Sequence, residues 1–180
     1  MHIDDLILNV GQFLDDETNV IVGSVEVNVL TEEAIISLDN LSTMVDFNFH
    51  LYNMAYLNNN NELAGVTSEL SEEEAYMVNA LIQTKNILVN DYLVMTVSEF
   101  DWRGNFNTLE NKMNVLTKFI DYCDYNNYDY LALMVEEEFT GQTKQTNVTE
   151  FPKIKQYEAL GFERINIHKT PIMVKKLYEE

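Results

Sequence analysis

Apolar residues run almost without a break over residues 92–97 (Tyr-Leu-Val-Met-Thr-Val) and again over 130–135 (Tyr-Leu-Ala-Leu-Met-Val). Such runs are the pattern of strands buried on both faces. Between them, Leu109, Met113, Leu116, Ile120 and Cys123 recur at spacings of four, three, four and three, with Phe119 widening the stripe. That period predicts a helix over 109–125 whose apolar face packs on a sheet. The polar segment 98–108 is then a loop, and the order is strand, loop, helix, strand. A right-handed crossover makes the two strands parallel neighbours or near neighbours. The loop meets a helix N-terminus, where unpaired amides and the positive dipole end can hold a phosphate.

The flanking pattern is less regular. Residues 3–10 form an apolar patch that fits helix or strand, followed by an acidic loop at Asp15-Asp16-Glu17. Alternation of Val20 and Val22, an interruption at Gly23-Ser24, and renewed alternation of Val25, Val27 and Val29 predict a half-buried strand with a bulge at the glycine. Thr31-Glu32-Glu33 reads as a helix start, and 44–57 has strand character. The run Asn58-Asn59-Asn60-Asn61 reads as a turn joining 51–57 and 62–68 in a β-hairpin. Ser71 and Glu74 have capping-box spacing, in which the serine oxygen accepts from the Glu74 amide and the glutamate reaches back, opening a helix over 72–84. Asn126-Asn127 ends the long helix. After a polar loop beginning at Glu136-Glu137-Glu138, Pro152 and Gly161 bracket a short helix over 153–160, and 162–168 with 172–178 close the chain as paired strands.

With 180 residues, no repeat and no Pro/Gly/Ser-rich linker, the chain reads as a single domain spanning 1–180. Its net charge of -19, from 11 basic and 30 acidic residues, argues against binding a nucleic-acid backbone and favours cationic substrates or partners. One cysteine, Cys123, excludes a disulfide framework and a multi-cysteine zinc site, and its place in the apolar stripe makes it a buried hydrophobe. His2, His50 and His168 lack metal-ligand spacing, so no metal site is expected. The N-terminus has neither the basic region nor the apolar run of a signal peptide, and no stretch has the length of a membrane span. The expectation is a cytoplasmic protein.

The segment Tyr157-Glu158-Ala159-Leu160-Gly161-Phe162-Glu163-Arg164 resembles a motif of the GNAT superfamily of N-acetyltransferases, commonly Tyr-Glu-Lys-Leu-Gly-Phe followed by two strands. Residues 171–177 look like the last strand of that fold, 130–135 like its fifth, and Val97 through Arg103-Gly104 like the start of its pyrophosphate-binding loop. The resemblance spans 92–178 in the family's order. It implies an α/β, GNAT-like fold: a mixed twisted sheet with a splayed parallel pair and helices on both faces. Acetyl-CoA is then the implied cofactor. Its phosphates would meet Val97, Arg103, Gly104, Asn105, Phe106, Asn107 and Thr108, and its acetyl group would pass to an amine. By the same resemblance Tyr157 matches the tyrosine that protonates the leaving thiolate, and Glu99, just past the first strand of the unit, could deprotonate the amine.

The family loop reads Arg/Gln-x-x-Gly-x-Gly/Ala, whereas this chain has Phe106 and Thr108 at the two glycine positions. Glu150 stands where the family has Asn, and Lys153 where it has a small residue. Those glycines let amides approach a pyrophosphate with no β-carbon in the way. Two functions therefore stand side by side: an acetyl-CoA-dependent N-acetyltransferase acting on a cationic amine, and a non-catalytic GNAT-fold module that binds a protein partner. The acidic, Asn- and Tyr-rich composition would suit a phage-encoded protein of the second kind. An acidic inhibitor covering a basic nucleic-acid-binding surface is a third reading.

Overall fold

The computed structural model describes residues 2–30, 41–135, 154–166 and 170–177. Seven strands form one sheet in the order β1-β2-β3-β4-β5-β7-β6. They are β1 (Leu6–Asp15), β2 (Val20–Val29), β3 (Ser42–Asn53), β4 (Leu93–Trp102), β5 (Tyr130–Met134), β6 (Glu163–Arg164) and β7 (Ile172–Lys176). Among the described strands only β4 and β5 run parallel, joined by the helix α3 (Leu109–Tyr125). Every other described neighbouring pair is antiparallel.

Alternation along the strands divides the core into two layers. Val25, Val27, Phe47, Phe49, Val97 and Leu133 face one side, where α3 packs through Val115, Leu116, Phe119 and Cys123, and the short helix α4 (Ile154–Ala159) through Ile154 and Tyr157. Val20, Tyr52, Val94, Tyr130 and Val174 face the other, against α1 (Asn60–Leu70) and α2 (Glu72–Lys85), which contribute Leu63, Met77 and Leu81. Helices thus cover both faces of a mixed sheet with one parallel pair. This is the GNAT-like α/β arrangement that the sequence implies. No described helix is long and apolar enough to cross a membrane.

The central unit follows its hydrophobic period closely. Thr108 caps α3, its Oγ1 accepting from the Asn111 amide at 3.2 Å. Asn127, at φ 56°, takes the left-handed conformation just beyond the helix end. Leu109, first in the apolar stripe, is exposed, whereas Cys123 is fully buried. Gly161, at φ 84°, stops α4 as its position predicts.

Four expectations change. Residues 62–68 are not a strand: Asn59 accepts from the Asn61 amide at 3.0 Å and starts α1, so the asparagine run is a helix cap. Asn competes for turns and helix starts by the same local hydrogen bonding, and packing of Leu63 in the α2-side core, with Thr67 also buried, selects the helix. The Gly23-Ser24 interruption is no bulge, since both residues keep continuous register with β1 and β3. Gly23 is there because the Phe49 ring lies over it, where an added β-carbon would fall 2.1 Å from Phe49 Cζ. The irregularity between β2 and β3 instead falls beside Met44, the extra residue between Thr43 and Val45. Finally, β1 extends the patch at 3–10 through Asp15, and β4 continues to Trp102, five residues into the expected loop. The helix start at Thr31, the polar loop from Glu136, Pro152, Glu150 and Lys153 lie outside the described residues.

Candidate functional site

β4 pairs with β5 from Val94↔Tyr130 to Val97↔Leu133 and no further. Beyond Val97, β4 stays paired with β3 as far as Trp102, while the Val135 amide donates to the Pro171 carbonyl on the side away from β4. The two parallel strands therefore part after Val97. At the same level β4 bulges, with Ser98 and Glu99 together opposite Asn48, because Val97 pairs Phe49 and Phe100 pairs Phe47. Ser98 Oγ donates to the Asn48 carbonyl at 3.1 Å. A parted parallel pair leaves strand amides and carbonyls available to a ligand between the strands.

The phosphate end of the site is more closed. Gly104 sits at φ 50°, with open space where a β-carbon would stand. The Phe106 amide donates to the Arg103 carbonyl, the Thr108 amide to the Phe106 carbonyl, and the Asn111 amide to the Thr108 side chain. Asn111 Nδ2 also donates to the Phe106 carbonyl at 2.9 Å. The first-turn amides left by helix geometry for an anion are those of Leu109 and Glu110, and Glu110 brings its own negative charge. Phe106 is half-buried against the α3-side core. Arg103 is held by Asp46 at 2.5 Å and Asp101 at 3.3 Å. The hydrogen bond to Asp46, then the charge of Asp101, push its already high pKa further up. Lys112 lies 5.9 Å from the centre of the Trp102 ring. The residues present suit a thioester arm at the strand opening, and offer a phosphate a helix start with few free amides.

Of the residues singled out from sequence, the 103–108 segment follows the C-terminal end of β4, whereas Val97 lies mid-strand, where β4 and β5 part. Tyr157 shares the α3-side core with Val97, is 8% exposed, and meets Phe162 edge-on at 6.1 Å. Glu99 lies in the β4 bulge, and its side chain is outside those described.

The opposite face holds a group that sequence reasoning missed. Glu74, 2% exposed in the first turn of α2, accepts from the Tyr52 hydroxyl at 2.5 Å and from the Thr96 hydroxyl, both through Oε1. Its Oε2 is 3.4 Å from His50 Nδ1, a buried atom with no aligned hydrogen bond. Glu74 thus does not reach back to the Ser71 amide, which donates to the Thr67 carbonyl, although the Ser71 oxygen does accept from the Glu74 amide at 3.0 Å. Burial first, and the neighbouring Glu74 charge second, push the Tyr52 hydroxyl far above the ordinary tyrosine range. The available signal was Thr96 interrupting the apolar run of β4.

Next to this group the sheet face is polar and uncovered by any described helix. Asn9, Glu26 and Asp46 stand side by side across β1, β2 and β3, and Gly11, Ser24 and Asn48 form the next row. These six line an open cleft of about 520 Å³. Asn48, on the β3 wall of the cleft, is opposite the β4 bulge, which lies just past the last β4–β5 pair.

No protein-family model and no curated protein matches the chain. Among solved structures it is similar to FeeM, an N-acyl amino acid synthase from uncultured soil microbes, at 12% identity and a TM-score of 0.45, over 87% of this chain and 67% of that one. It is also similar to an N-acetyltransferase from Staphylococcus aureus Mu50, at 10% identity and a TM-score of 0.38, over 95% of this chain and 98% of the other.

Proposed function

We propose that the chain is an N-acetyltransferase of the GNAT type, using acetyl-CoA and a cationic amine acceptor. The observation that carries this reading is the separation of β4 from β5 after Val97, beside a bulge opposite the β3 wall of an acidic cleft. Acetyl-CoA would supply an activated thioester carbonyl. Val97 and the freed backbone of β4 would flank its acyl arm, and Arg103, Gly104, Asn105, Phe106, Asn107 and Thr108 its phosphates. Tyr157 keeps the role the resemblance gives it, proton donor to the thiolate, and Glu99 is the base that the resemblance offers. The charge of -19 favours an acceptor bearing ammonium groups.

A second reading, a non-catalytic module that binds a protein partner, is favoured by one observation: Phe106 and Thr108 stand at the two glycine positions, and their amides donate to the Arg103 and Phe106 carbonyls within the loop. Titration calorimetry with acetyl-CoA separates the two. The transferase reading expects heat of binding and a raised melting temperature, since a ligand at 100 times its Kd stabilises by about 2.7 kcal/mol. Neither heat nor shift at millimolar acetyl-CoA sinks it. Binding gained only when Phe106 and Thr108 are both replaced by glycine supports the module instead, as would a stable co-purifying protein.

A further inference from the structure

We propose that His50 and Glu74 form a proton-accepting dyad for the incoming amine, with His50 as the catalytic base and Glu74 as its positioning residue. The inference rests on the transferase reading. It assigns the base to the α2-side face of the sheet, in place of Glu99.

Three observations place the dyad. First, His50 pairs with Thr96, one same-face position before the level of Ser98, where β4 leaves β5. The opening lies two residues along β4, about 7 Å, and one strand spacing, about 5 Å, across from β3, a separation that an imidazole and one bridging water span. Second, Asn48, which precedes His50 on that face of β3, is part of the cleft wall, so the cleft that holds Glu26 and Asp46 ends one same-face position from His50. Third, the ring is oriented from behind. The His50 side chain is 18% exposed while its Nδ1 is buried 3.4 Å from Glu74 Oε2, so the exposure belongs to the rest of the ring, where Nε2 is the other nitrogen. Glu74 is in turn fixed through Oε1 by Tyr52 and Thr96.

A carboxylate facing Nδ1 favours the tautomer with hydrogen on Nδ1 and a lone pair on Nε2. Nε2 takes one proton from the ammonium group, and the neutral amine nitrogen attacks the thioester carbonyl carbon. The carbon–sulfur bond breaks, its electron pair leaves on sulfur, and the second amine proton goes to the thiolate through Tyr157 or solvent. His50 then returns its proton to water, giving an amide, a thiol and one proton from an ammonium ion and a thioester. The groups facing His50 are Val22 of β2, Tyr52 of β3, Thr96 of β4 and Glu74 of α2.

The test has two arms on the full chain. Imidazole nitrogen NMR reads the tautomer without any ligand. The expected result is hydrogen on Nδ1 of His50, moving to Nε2 in Glu74→Gln, whose amide group offers Nδ1 a donor. Hydrogen on Nε2 in the unaltered protein overturns the dyad. The second arm follows thiol release from acetyl-CoA with spermidine as the cationic probe. His50→Gln is expected to lower kcat by roughly 10²–10⁴-fold, with acetyl-CoA affinity unchanged. Full rate in His50→Gln, or acetyl-CoA binding with no thiol release in the unaltered protein, overturns the base alone. Failure of the unaltered protein to bind acetyl-CoA overturns the transferase reading and the base with it, whatever the tautomer.

Discussion

Replacing Tyr52 by phenylalanine tests whether the Glu74 network supports the fold. The substitution removes one hydroxyl and leaves the ring, which is fully buried between β3 and α2. What is lost is a 2.5 Å hydrogen bond to a carboxylate that is itself 2% exposed. Hydrogen bonds to charged groups contribute about 1.5–3 kcal/mol net. Glu74 keeps the Thr96 hydroxyl and the nearby His50 ring, so the cost stays below that of an isolated buried charge. A loss of about 2 kcal/mol corresponds to a fall in Tm of about 4–8 °C for a chain of this size. Thermal and urea unfolding followed by circular dichroism would measure it. Thr96→Val should couple to it, the two changes together departing from additivity by about 0.5 kcal/mol or more, because both hydroxyls serve one oxygen. If Tyr52→Phe costs under about 0.5 kcal/mol and the pair is additive, Glu74 is not held as described, and the reciprocal capping-box geometry regains its place.

Two further outcomes follow from the packing. Gly23→Ala should destabilise by about 1–3 kcal/mol in urea unfolding, because its β-carbon needs the space of the fully buried Phe49 ring; an unchanged midpoint would mean the ring moves freely. Stability should also fall as pH rises above about 10, the ordinary tyrosine value. Burial raises the Tyr52 and Tyr128 hydroxyls in the folded chain, so their contribution is complete below the unfolded pKa and is lost on the way up to the folded one. Denaturation at alkaline pH should be shallower in Tyr52→Phe; identical slopes would remove Tyr52 from the account.

What the sequence determined by itself was the unit around α3. Its apolar periods fix two buried strands and an amphipathic helix, and a right-handed crossover leaves one parallel arrangement for them. Local chemistry also settled the cap at Ser71 and the stop at Gly161, since each depends on a few adjacent residues. Asn58-Asn59-Asn60-Asn61 was undecidable locally, because asparagine serves a turn and a helix cap equally well. Only packing of Leu63 in the α2-side core, with Thr67 also buried, chose the helix. Gly23 looked like an interruption because its reason, the Phe49 ring, lies on another strand. The candidate site divides in the same way. The loop 103–108 and Tyr157 were legible as motif positions, but Glu74, Tyr52, Thr96 and His50 come from a helix and two strands. They meet only when the strand register is set and α2 lies across it. The tertiary structure likewise decided that β4 and β5 part after Val97, because where a ladder ends depends on which strand each edge pairs with next.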